Sequence, residues 1–104
     1  MASEMTRHAE AIADKLDTMY VGELREYFRE HELDVEYTVT FMGSDLIVVG
    51  AQIWITIGGP TVWVDTREGT VHANHGDDKG TAWLKTTTAA TIHRIYEECF
   101  YESL

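Results

Sequence analysis

The chain has 104 residues, 44% of them hydrophobic and eleven aromatic (five Tyr, three Trp, three Phe), which fits one folded domain with a modest core and argues against a disordered tail. Eighteen acids against eight bases leave a net charge of −10, a surface that repels nucleic-acid phosphates and anionic membranes and so argues against direct binding to either. No apolar run approaches a membrane span. The opening "MASEMTRHAEAIAD" carries charge where a secretory leader would be apolar, and the single Cys99 permits no internal disulfide. These features together predict a cytoplasmic protein.

From Met5 to His31, apolar positions recur as Met5, Ala9, Ile12, Leu16, Tyr20, Leu24, Tyr27 and His31, close to the helical period, with Ser3 as an N-cap. Gly22 costs about 1 kcal/mol inside a helix, so the segment is expected to bend or break near Val21–Gly22. After Asp34 the period becomes two: Val35, Tyr37, Val39 and Phe41 alternate with Glu36, Thr38, Thr40 and Met42. Turn signals follow at "MGSD", "VGAQ", "GGP" and "TREG", too close together for helical crossovers. The loop "NHGDDKGT" comes next. A last helix then starts near the threonines 86–88, with Ile92, Ile95, Tyr96 and Cys99 as its inner stripe.

The predicted fold is α+β, two-layer, with a five-stranded antiparallel meander and an N-terminal and a C-terminal helix on one face. Residues 1–104 form one domain: a helical segment at 1–34, the meander at 35–74, a loop at 75–85 and the last helix at 86–104. Register follows from requiring one apolar face, because a one-residue slip turns a whole set outward. Two-residue turns at Gly43–Ser44 and Gly50–Ala51, a loop at Ile57–Pro60 and the "TREG" turn bring Val35, Tyr37, Val39, Phe41, Leu46, Val48, Ile53, Ile55, Val62, Val64 and Val71 to that face.

The same register places Trp54 directly across from Trp63 on the opposite face, in a row Thr40–Ile47–Trp54–Trp63–His72 with Val49 beside it. Two indoles with Ile47 and Val49 make an apolar patch of the kind that marks an interaction site. Three occupants are open: Trp83 and the loop "NHGDDKGTAWL" folded back as cover, a second copy of the chain, or a foreign protein. On the first helix Glu23, Glu26 and Glu30 form an acidic flank whose carboxylates lie about 5–6 Å apart, a spacing near that of strand phosphates, although Arg25 and Arg29 interleave. His72, His75, Asp77 and Asp78 fall within seven residues and are types that hold zinc, but their spacing matches no strong metal signature. No phosphate loop, nucleophile elbow or catalytic set occurs, so neither an enzyme nor a cofactor is expected; a metal-dependent enzyme at His72–Asp78 is the third reading.

In overall character, the −10 charge, the hairpin "IWITIGGPTVWVDTREGTV" and the acidic helix "GELREYFREHE" resemble small acidic phage and mobile-element proteins, including anti-CRISPR inhibitors. Members of that group share little sequence, so the resemblance carries over no functional residue. It implies a non-enzymatic inhibitor whose partner is a CRISPR effector or another basic, nucleic-acid-binding complex, held through protein contacts. The alternative is a small homodimeric accessory protein that uses the sheet face as its own interface.

Overall fold

The computed structural model describes residues 2–104. Helix α1 spans Glu4–Asp17 and begins where Ser3 Oγ accepts the Thr6 N–H at 3.1 Å, with Glu4 in the first turn and Lys15 in the last, both favourable to the helix dipole. It ends at Thr18, whose hydroxyl donates to the Lys15 carbonyl at 2.7 Å. Helix α2, Val21–His31, restarts with the Glu23 carboxylate accepting the Tyr20 N–H at 3.0 Å. The break therefore lies at 18–20, ahead of Gly22. It resets the helical phase, so Leu24 and Phe28 are buried while Tyr20 and His31, both on the predicted stripe, are exposed.

Five strands follow in an antiparallel meander ordered β1-β2-β3-β4-β5: β1 Asp34–Met42, β2 Asp45–Thr56, β3 Thr61–Asp65, β4 Thr70–His75 and β5 Asp78–Trp83. Helix α3, Thr86–Glu102, closes the chain. The architecture is α+β, as the sequence predicts, but two strand assignments change. The turn expected at Gly50–Ala51 is absent, and β2 runs straight through it. The ladder instead steps there: Thr38 faces Gly50 and Val39 faces Val48, leaving Val49 as an extra residue in a bulge. Gly50 marks a close approach, since a Cβ there would lie 2.7 Å from Arg67 Cβ.

The second change is β5, which occupies most of the segment expected to be a loop. Its inward positions are Gly80 and Ala82, facing Ala73 and Val71. They are small because α1 lies directly on them: a Cβ at Gly80 would collide with the Met5–Thr6 backbone. The Met5 N–H also donates to Asp78 Oδ2 at 3.2 Å.

Val48, Ile53, Ile55, Val62, Val64 and Val71 are buried as expected. All but Val48 belong to one core cluster with Met5, Ala9, Leu16, Leu24, Phe28, Ile92, Ile95 and Tyr96. Val35, Tyr37 and Leu46 are half-buried, and Val39 and Phe41 are exposed. The reason is geometric: the distal halves of β1 and β2 project past the helix layer as a two-stranded arm, and the molecule measures 48 × 28 × 23 Å. The last turns of α3 follow the arm, with the Phe100 ring 5.0 Å from that of Tyr37 and the Tyr101 hydroxyl donating to the Leu46 carbonyl at 2.6 Å. Cys99, expected on the inner stripe, is exposed where α3 leaves the core. Partial burial, then the nearby Glu102 and Glu32, push its thiol pKa up, so it is a poor thiolate.

Candidate protein-binding face

Trp54 on β2, Trp63 on β3 and His72 on β4 are directly opposite one another, and the row ends at Thr81 on β5. Because Ile53, Val64 and Val71 point into the core, these neighbours point to the other side of the sheet. There the rings stack as a ladder. Trp54 and Trp63 have centroids 6.2 Å apart at 23°, and Trp63 and His72 are 4.9 Å apart at 22°. His72 is fixed at both ring nitrogens, with Thr81 Oγ1 3.0 Å from Nδ1 and Thr70 Oγ1 3.0 Å from Nε2, while Glu68 Oε1 lies 3.7 Å from Nε2.

Carboxylates border the ladder. Asp34 is the β1 neighbour of Trp54, and one step along the face runs the row Glu36, Gln52, Asp65, Thr70, Trp83. Burial raises the Asp65 carboxyl pKa, but N–H groups of Glu68 and Arg67 and the Gln52 amide donate to it and outweigh that effect, holding it below the usual carboxylate range. Asp65 thus pins the β3–β4 turn; it is itself buried, so Asp34, Glu36 and Glu68 are the exposed carboxylates of this border. Two cations border the same face, Arg67 beside Gly50 and Gln52, and Lys79 at the far corner.

The structure redistributes several predicted contributors. Ile47 still faces Thr40, but it sits seven residues before Trp54 on the same strand, about 20 Å away at the strand rise. Val49 is the bulge residue and lines a groove of about 710 Å³ between the β3–β4 turn and α3, with Thr66, Trp83, His93 and Arg94. Neither joins the tryptophans. The segment 75–85 does not fold over the face; it extends the sheet, and Trp83 is 72% exposed. Glu23, Glu26 and Glu30 are all exposed on α2. That helix packs on the core side of the sheet, so the acidic flank and the ladder are not parts of one patch.

The metal candidates do not converge either. His72 is committed to two threonines, His75 and Asp78 face each other at the end of the β4–β5 hairpin, and Asp77 lies in its turn. Among the described residues no group of three or more His, Cys, Asp or Glu side chains is placed to share an ion. Sequence reasoning missed Trp83 as a member of the face and the groove beside it, because both depend on β5. No protein-family model, curated protein or solved structure matches the chain. Among the described residues no helix is long and apolar enough to cross a membrane.

Proposed function

We propose that this protein is a non-enzymatic, protein-binding inhibitor of the anti-CRISPR type, acting in the cytoplasm on a basic, nucleic-acid-handling partner. The observation that supports this reading is the half-buried, outward-facing ladder Trp54–Trp63–His72 with Asp34, Glu36 and Glu68 around it. Indole faces attract guanidinium and ammonium groups within about 6 Å, and carboxylates alongside add ion pairs. Surfaces that hold nucleic acid present such cations in quantity. The net charge of −10 accelerates encounter with such a surface and disfavours acidic ones. The exposed Glu23, Glu26 and Glu30 on the other side of the molecule offer a second acidic contact.

The test is target-DNA cleavage by a panel of purified, guide-loaded CRISPR effectors with and without the protein. At least one effector should be inhibited, and less strongly as salt rises, because exposed charges are screened beyond about 8–10 Å. Trp54→Ala/Trp63→Ala should remain folded and lose inhibition. Reversal of Glu23, Glu26 and Glu30 to Lys separates the contribution of the acidic flank. Failure to inhibit any effector, or undiminished inhibition by the double tryptophan variant, overturns the proposal.

A further inference from the structure

The arm offers a different surface. β1 is an edge strand, so one side of its backbone has no strand partner among the described residues. Natural edges are blunted by charged side chains, lysine above all, by proline, by bulges or by a covering element, and β1 has only Asp34 and Glu36, both in its first three residues. From Asp34 to Met42 β1 has neither lysine nor proline, and its burial pattern is exposed at seven of nine positions. Val39, Phe41 and Met42 are 40%, 71% and 67% exposed, so the edge is apolar as well as open. The charge distribution identifies what fits it. The chain has 26 charged residues, yet Asp45 is the only one between Tyr37 and Val64. A basic partner finds little on the arm to pair with. A second copy meets only Asp34 and Glu36 on the strand itself, and antiparallel pairing need oppose neither to a like charge.

We infer that two copies of this chain associate through antiparallel pairing of their β1 strands, making one continuous ten-stranded sheet. A two-fold axis at Thr38 uses the whole strand. Val35 then faces Phe41 of the second copy and Tyr37 faces its Val39, so apolar residues meet apolar residues on one face. On the other face Thr38 meets Thr38, Glu36 meets Thr40 and Asp34 meets Met42. No two like charges are opposed, a condition under which cross-strand pairs stabilise a sheet. The ladder face stays open in this dimer and is presented twice, which is compatible with the inhibitor reading without depending on it.

Sedimentation of the purified chain should give twice the 11.8 kDa chain mass. Thr38→Lys opposes two lysines on the axis, and Phe41→Lys places a charge against an apolar neighbour; each should sediment as a single chain with an unchanged circular-dichroism spectrum. In a Cys99→Ser background, a short bismaleimide should capture Thr38→Cys as a covalent dimer and leave Ser44→Cys uncaptured, since the two Ser44 positions stand roughly 40 Å apart at the strand rise. The inference is overturned by a wild type that stays a single chain at millimolar concentration, or by capture of Ser44→Cys in preference to Thr38→Cys. It is equally overturned by a dimer that survives Thr38→Lys but dissolves in Trp54→Ala/Trp63→Ala, which would place the contact on the ladder face.

Discussion

The two edges of the sheet reverse what their sequences suggest. β1, "DVEYTVTFM", alternates like a half-buried strand, yet most of it stands in solvent. β5, "DKGTAW", reads as a polar loop, yet its inward side is sealed under α1. Apolar alternation reports what a strand could bury, whereas Gly and Ala at alternate positions report that something is already there. A strand lying under a helix backbone has no room for the large side chains by which strands are usually recognised.

The strongest way to break this comparison is Gly80→Val. If α1 lies on β5, the added side chain meets helix backbone and not a yielding side-chain tip, and the cost should be about 3 kcal/mol or more, read as a lower urea midpoint. A variant as stable as the wild type would show that α1 does not seal this edge.

Asp65 belongs to neither edge and supplies an intermediate effect. Its carboxylate accepts the Arg67 and Glu68 N–H groups at 2.9 and 3.0 Å, so Asp65→Asn should cost about 1–2 kcal/mol at neutral pH. Its pKa is lower folded than unfolded. Its stabilisation is therefore complete above the unfolded value of about 3.9 and is lost as pH falls through the folded value. Melting temperature against pH should consequently fall less steeply below about pH 4 in the variant than in the wild type. Parallel curves would remove Asp65 as a source of acid sensitivity.

The smallest effect should come from the other edge. Phe41→Ser removes a large aromatic, but one already 71% exposed, so the stability of the single folded chain should change by less than about 0.5 kcal/mol. The Thr38→Lys background keeps self-association out of that measurement. A loss of several kcal/mol would mean that the arm is part of the core.

Legibility in the sequence followed the same physics. The pairing of Trp54 with Trp63, and of Val64 with Val71, was readable because both faces of these strands have distinct chemistry; beside the β2–β3 loop the ladder slips, Thr56 facing Val62, and a bulge at Ile55 restores the expected register at Trp54. Trp63 beside His72 follows from the same constraint. Gly50 misled because a glycine required by the approach of Arg67 looks like a glycine required by a turn. That one reading split β2 in two and moved Ile47 and Val49 next to the tryptophans, where the structure instead has Asp34 of β1 beside Trp54. β5 was hidden for the reason given above, and with it Trp83. The reach of the helices was invisible too: nothing in β1 itself says that the helix layer stops short of Val39 and Phe41.

The way α1 is tied down has a consequence for how the chain assembles. Its N-terminal turn is held by Asp78, 73 residues on, and Asp17 near its end accepts the Lys85 N–H across 68 residues. During synthesis α1 emerges early but cannot dock until β5 and the start of α3 have followed. Contacts this distant close late and slow the search for the native state. Until then the amphipathic helix and the unguarded β1–β2 arm are both accessible, an interval in which chaperones or a neighbouring nascent chain compete for them. Fragments ending before Asp78 should stay in that unclosed state and be prone to aggregation.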